Sequence, residues 1–343
     1  VPHDTAGIYG WYILIRFTDT LRNRTVPSMD MFPHFIRRRR LLLALLVLIS
    51  VAYVQLDRWQ RNRIFAVETS ARTWWREPPE GTEVFDLRHD NGETIRAWYW
   101  PSPTTDAPTV LYLHGARWNL NGSAFRMQGW ADMGYSMLAI DYRGFGASSP
   151  RLPSERSAAA DARLALAELA RRQPDPARRF VYGHSLGGAI AIDAVTDDDV
   201  PIAGLIVEAG FTRIADMLAT QSWGGIPGLR WIVTQPFDAI GKIAAFKRPV
   251  LFLHGTADTV VPPTMSDALF AAAREVPPAL KRLVKLQGVA HSNGVYSGAR
   301  YRDAIQQFTR DASRYARSAR SAALDSATSV MCGHRQSCPH TPS

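Results

Sequence analysis

Ser185 lies in the pentapeptide Gly183-His184-Ser185-Leu186-Gly187, entered from the apolar run Phe180-Val181-Tyr182 and left through Gly188-Ala189-Ile190-Ala191-Ile192. A serine hydroxyl is a poor nucleophile at neutral pH. It needs a neighbouring base, and donors for the negative charge that builds on an attacked carbonyl oxygen. A sharp strand-to-helix turn would lift it clear of a packed scaffold, and such a turn crowds the residues two before and two after it, where glycine fits. The bare pattern G-x-S-x-G arises by chance in roughly one chain in ten of this length, so the partners decide what it means.

Two downstream segments supply partners. Pro249-Val250-Leu251-Phe252-Leu253-His254-Gly255-Thr256-Ala257-Asp258 reads as an apolar strand ending in a turn that presents a carboxylate, Asp258. Arg282-Leu283-Val284-Lys285-Leu286 reads as another strand and runs into Gly288-Val289-Ala290-His291, which makes His291 the candidate base. In a parallel sheet the carboxyl ends of the strands share one edge, so loops far apart in sequence can converge there. Upstream, Thr109-Val110-Leu111-Tyr112-Leu113-His114-Gly115-Ala116 is a strand ending in a His-Gly turn. The oxyanion donors are assigned to the backbone N–H groups of Ala116 and Leu186.

Each residue also has a structural reading: Ser185 as a helix N-cap, Asp258 as a turn closer, His291 as a surface-loop histidine. Asp141, in Asp141-Tyr142-Arg143-Gly144-Phe145-Gly146, precedes the serine and is read as a structural turn residue rather than the acid. His114, His184 and His254 fall at strand ends and are read as structural too.

Over about residues 83–310 the chain resembles the α/β-hydrolase superfamily, in the branch of membrane-anchored α/β-hydrolase-domain proteins and serine aminopeptidase-like or lysophospholipase-like hydrolases. The resemblance rests on His114-Gly115, the Asp141–Gly146 turn, the Ser185 elbow, Glu208-Ala209-Gly210-Phe211, the stretch from Phe237 to Asp258, and Gly288-Val289-Ala290-His291. It implies an α/β fold with a mostly parallel sheet, helices on both faces and a short cap. The order Ser185, Asp258, His291 is the one such enzymes use. The implied reaction is ester or thioester hydrolysis through an acyl-enzyme, with no metal or organic cofactor and a small acyl ester or lipid-like molecule as substrate. A peptidase or acyltransferase on the same triad, or a non-catalytic binding protein on this fold, are the alternatives. Glu208 is a weak candidate for recognising a peptide's free terminus. Relatives often carry a small polar residue after His-Gly, whereas this chain has Ala116 followed by bulky Arg117 and Trp118.

Strand-like runs alternate with helical patterns from about residue 83 onward, as βαβ units do. Residues 83–89 and 94–100, around Asn91-Gly92, predict an opening hairpin. Residues 154–172 predict an amphipathic helix whose Leu164, Leu166 and Leu169 pack on the core. Residues 211–246 are read as the cap, with Phe211, Met217, Trp223, Ile226, Trp231, Ile232 and Phe237 either lining an apolar acyl pocket or packing the cap onto the sheet.

The 343 residues carry a formal net charge of +9, which raises the question of nucleic acid. Residues 1–76 contribute 12 Arg against 5 acidic groups, and residues 310–343 contribute 5 Arg against 2, so the remaining 23 basic and 24 acidic residues net −1. The basicity belongs to the ends of the chain, and nucleic-acid binding is not expected. Leu41 to Leu56 is an uncharged run of 16 residues preceded by Arg37-Arg38-Arg39-Arg40. It is read as an uncleaved membrane anchor after a basic extension (1–40), with a cleaved signal as the alternative. The arginines predict a cytoplasmic N-terminus and a catalytic domain on the far face. Met29 and Met31 are candidate translation starts. Residues 57–82 are read as a linker and 311–343 as a tail, disordered at its end. There Cys332, His334, Cys338 and His340 have zinc-ligand types in a composition that favours disorder over a metal site.

Overall fold

The strongest apolar runs become the middle of one sheet. The computed structural model describes residues 31–68, 74–196, 200–220 and 227–333, and its chain divides into two compact units, Val1–Leu56 and Asp57–Ser343. The first unit holds most of α1 (Met31–Phe65). From Ile36 this helix is long and apolar enough to cross a membrane by length and composition, and its leucines are exposed from Leu41 to Leu48. Segment 57–82, expected as a linker, begins instead as the last turns of α1. Phe65 explains why, since it is fully buried with Phe145 and Phe237 packed edge-on against it at 6.3 and 5.9 Å.

In the second unit β1 (Glu83–Arg88) and β2 (Thr94–Trp100) pair antiparallel, from Glu83 opposite Tyr99 to Arg88 opposite Thr94. Gly92, at φ +84°, takes the left-handed conformation the hairpin turn requires. Then follow β3 (Thr109–Leu113), α2 (Leu120–Ala131), β4 (Ser136–Ile140), α3 (Glu155–Arg172), β5 (Arg179–His184), α4 (Leu186–Thr196) and β6 (Gly204–Glu208). The chain continues through α5 (Ile214–Ala219), α6 (Ala239–Ile243), β7 (Val250–Gly255), α7 (Thr264–Ala272), β8 (Lys281–Leu286) and α8 (Ala299–Gly333). The sheet order is β1-β2-β4-β3-β5-β6-β7-β8, with β4 to β8 parallel. Strands β3 to β7 are buried along their whole length, which is why they read as unbroken apolar runs rather than alternating ones.

Alternate side chains divide between two cores. On β3, Leu111 and Leu113 join the core beneath α3 and α4, while Val110 and Tyr112 join the one beneath α2 and α8. The predicted helix at 154–172 is α3, with Ser154 as its N-cap accepting the Ser157 N–H, and with Leu166 and Leu169 buried. Residues 311–333, read as tail, continue α8 as helix. Tyr301, Ile305, Phe308 and Ala312 recur at helical spacing and are buried, and that apolar stripe carries the helix past residue 310. Cys332 falls in the last turn of α8, and Cys338, His334 and His340 lie outside the described residues, as does Met29.

Within the expected cap, Phe211 and Phe237 are buried in the core with Phe65, while Trp231 and Ile232 are exposed. Trp223 and Ile226 lie outside the described residues. Of the two readings of this segment, packing on the sheet describes its buried aromatics.

Candidate functional site

Three loops meet at the carboxyl edge of the sheet. Ser185 follows β5 directly and takes φ +54°, a left-handed conformation costly for a residue with a Cβ. The turn is held by the Ser185 N–H donating to Glu208 O at 2.9 Å and the Gly188 N–H donating to Ser185 O at 2.9 Å. A Cβ on Gly183 would stand 2.3 Å from Gly187 O, and one on Gly187 would stand 2.0 Å from Leu113 O. Those distances leave room only for glycine, and they place the serine at the head of α4.

Asp258 follows β7 and His291 follows β8, in loops locked together. The Thr256 N–H donates to Leu286 O at 2.9 Å and the Ala257 N–H to Val289 O at 3.1 Å. His291 bridges the other two candidates. Its Nδ1 lies 2.7 Å from Asp258 Oδ2 and its Nε2 lies 3.0 Å from Ser185 Oγ. An ionised carboxylate only accepts, so Nδ1 carries the proton and Nε2 presents its lone pair to the serine hydroxyl. That is the tautomer a general base requires.

Asp258 is buried and receives two backbone donors on Oδ1, Val260 N–H at 2.8 Å and Val261 N–H at 2.9 Å. His254 adds Nε2 at 3.1 Å from Oδ2. The same nitrogen lies 3.0 Å from Val261 O, so it faces two acceptors and must carry the proton, leaving Nδ1 to accept from the Ser266 hydroxyl at 2.6 Å. Burial alone would raise the Asp258 carboxyl. The bonds from His254, His291 and Val261 outweigh it and hold the group well below the usual carboxylate range. His254, read from sequence as structural, thus helps to hold and stabilise the Asp258 carboxylate.

Backbone N–H groups of Ala116 and Leu186 have no partner among the described residues, which leaves both available to an incoming oxygen. Gly115 brings the first of these loops against the elbow, since a Cβ there would lie 3.4 Å from Ser185 Cβ. His114 is fully buried, with its ring 4.5 Å from that of Tyr142, and Asp141 accepts the Leu120 N–H at 2.8 Å. Both are structural supports of the loop. A cleft of about 300 Å³ opens beside Ser185 and His291, with Ala116, Trp118, Phe125 and Val260 among its walls. The cap aromatics are not among them. A cleft of about 390 Å³ between Trp74, Trp75 and Trp98 contains none of the three candidate residues.

Beneath this edge lies a buried polar cluster with no counterpart in the sequence reading. Arg126 on α2 donates to Glu208 Oε1 at 3.0 Å, to Tyr182 Oη at 3.3 Å and to Ser292 O at 3.0 Å. Glu208 Oε2 accepts from Tyr182 Oη at 2.6 Å and from Tyr301 Oη at 3.0 Å. Glu208, a candidate for binding a peptide terminus, is therefore consumed inside the protein. The one sequence signal for Arg126 is a lone charge on the buried helical stripe of Ser123 and Trp130. Arg126 also lies 2.9 Å from His184 Nε2, a nitrogen that stands 3.0 Å from His291 O as well. Burial, the Arg126 charge and the neighbouring His291 hold His184 well below the ordinary imidazole range.

The His184 shift predicts acid sensitivity. A depressed folded-state pKa adds stability above the unfolded value of about 6.5, and this is lost as pH falls below it, by up to about 1.4 kcal/mol per pH unit. Urea unfolding compared at pH 7.5 and 5.5 should show that loss in the wild type and a smaller one in His184→Asn.

Comparison with known proteins adds the lineage. Residues 105–240 match the family model described as serine aminopeptidase, S33. The uncharacterized protein Rv2307c of Mycobacterium tuberculosis is 34% identical over 233 residues, covering 67% of this chain and 79% of that one. The chain belongs to the α/β-hydrolase superfamily. This hydrolase is also 31% identical over 195 residues to the lysophosphatidylserine lipase ABHD12 of Danio rerio, covering 52% of this chain and 50% of that one. Among solved structures, the esterase Pf2001 of Pyrococcus furiosus superposes with a TM-score of 0.56 at 15% identity, over 67% of this chain and 90% of that one. The hydrolase is of the esterase/peptidase type. Among its described residues no group of three or more His, Cys, Asp or Glu is placed to hold a metal ion.

Proposed function

We propose that this protein is a serine hydrolase that cleaves carboxylic esters or thioesters of apolar, lipid-like acyl groups. The observation that carries the proposal is His291 standing between Ser185 and Asp258, at 3.0 and 2.7 Å. His291 Nε2 takes the hydroxyl proton as Ser185 Oγ attacks the carbonyl, and Asp258 stabilises the imidazolium that forms. The Ala116 and Leu186 N–H groups receive the oxyanion. Collapse of the adduct expels the alcohol or thiol with the proton from His291, and water activated by the same imidazole then releases the acid.

Two features favour an acyl ester over a peptide. An aminopeptidase needs a carboxylate for the α-ammonium group, and none stands among the cleft walls, while Glu208 is occupied by Arg126, Tyr182 and Tyr301. Trp118, Phe125 and Val260 instead offer apolar wall to a hydrocarbon chain. The similarity to a lysophosphatidylserine lipase fits a monoacyl lipid. In this reading α1 anchors the chain in a membrane, with Arg37 to Arg40 on the cytoplasmic side and the hydrolase on the opposite face.

A hydrolysis panel of short- and long-chain acyl esters, monoacyl phospholipids and aminoacyl amides tests the substrate class. Ester turnover is expected to dominate. Amide turnover above ester turnover would overturn this reading.

A further inference from the structure

The end of α1 is joined directly to the loop that carries the Ala116 donor. Arg117 donates its N–H to Phe65 O at 2.8 Å, and Glu68 donates its N–H to Arg117 O at 2.9 Å, a two-bond exchange between the post-helix turn and the residue after Ala116. Both sides of this bridge depart from ordinary backbone. Ala66 has φ +46° and Arg117 has φ +78°, left-handed conformations that cost residues with a Cβ and persist where the surroundings enforce them. The Trp118 N–H donates to Ala116 O at 3.1 Å, so the peptide after Ala116 is fixed at both its carbonyl and its N–H while the Ala116 N–H itself stays open.

The helix end is itself pinned. Phe65 is fully buried between Phe145 and Phe237, and Phe145 also packs against the His114 ring at 4.9 Å. One turn earlier Gln60 donates to Ile232 O at 2.7 Å and accepts the Thr234 N–H at 2.8 Å. Asp57 accepts from Gln235 Nε2 at 2.8 Å, and Arg61 donates to Pro153 O at 2.8 Å. The segment that the sequence leads one to expect as a linker thus reaches the loop beside Ser185.

We propose that Phe65 is a positioning residue for the oxyanion hole: the turn at the end of α1 holds Arg117, and through it sets where the Ala116 N–H points. The proposal rests on the serine-hydrolase reading. A donor aimed at an oxyanion stabilises charge that exists only in the transition state, so misaiming it lowers kcat and leaves substrate binding largely intact.

The test uses the full chain carrying Phe65→Leu, which loosens the pin, and separately Ala66→Pro, which changes an exposed residue and forbids the positive φ. Phe308→Leu, a substitution on the buried face of α8 away from this loop, serves as control. Losing an oxyanion donor outright costs about 100- to 1,000-fold in kcat, so a displaced one should cost about tenfold or more, with KM for a p-nitrophenyl ester moving less than about threefold. A trifluoromethyl ketone, which forms an oxyanion adduct on the serine, should weaken in parallel with kcat/KM, while inhibition by the product acid stays unchanged. Phe308→Leu should keep both kcat and ketone affinity. Wild-type kcat in both α1 variants, or a loss in them that Phe308→Leu shares, would overturn the positioning role alone. A wild type that turns over no ester would overturn the functional reading, and this inference with it.

Discussion

Replacing Ser185 with alanine is expected to lower ester turnover by about four to six orders of magnitude, leaving only what binding and the oxyanion donors give without a nucleophile. Turnover of a p-nitrophenyl ester by wild type and variant, purified side by side, checks it. The size follows from geometry, because Ser185 Oγ is the hydroxyl that faces His291 Nε2 at 3.0 Å. Folding should be almost untouched. Alanine keeps the Cβ, and the elbow is held by backbone bonds to Glu208 and Gly188 that do not involve the hydroxyl. A melting temperature within a few degrees of wild type would separate lost chemistry from lost structure, and activity above about 1% of wild type would place the nucleophile elsewhere.

The second large effect is on stability. Arg126→Met removes the partner of a carboxylate that is almost wholly inaccessible, leaving Glu208 with the hydroxyls of Tyr182 and Tyr301 but no positive charge. Breaking one side of a buried ion pair costs about 3–5 kcal/mol, far more than losing an exposed one. The same change also frees Ser292 O, next to His291, so kcat should fall even where the protein stays folded. Urea unfolding measures the stability term. Adding Glu208→Gln to Arg126→Met should recover part of the loss, because a neutral amide no longer strands a buried charge. A cost below about 1 kcal/mol for Arg126→Met would contradict the role given to the pair.

The hydrolase core was legible because its chemistry constrains sequence locally. Gly183 and Gly187 mark a turn whose crowding tolerates no Cβ, and β3, β5 and β7 announce themselves as apolar runs ending at His114, Ser185 and the Asp258 turn. Strand order then brings Ser185, Asp258 and His291 to one edge. The misread parts depend on partners distant in sequence. Arg126 and Glu208 are 82 positions apart, and neither residue alone distinguishes a buried pair from a solvated charge. Phe65 fell inside the segment 57–82 read as a linker because its contacts, Phe145 and Phe237, lie far along the chain. Residues 311–333, read as part of a tail, are helical, and the apolar spacing that starts at Tyr301 continues to Ala312.

The most direct measurement is covalent labelling with a fluorophosphonate followed by mass spectrometry of the peptides. A single phosphonyl adduct is expected on Ser185, formed in the wild type and absent in His291→Ala, since the hydroxyl reacts only when the imidazole takes its proton. An adduct on another residue, or no adduct in a preparation that turns over esters, would contradict it.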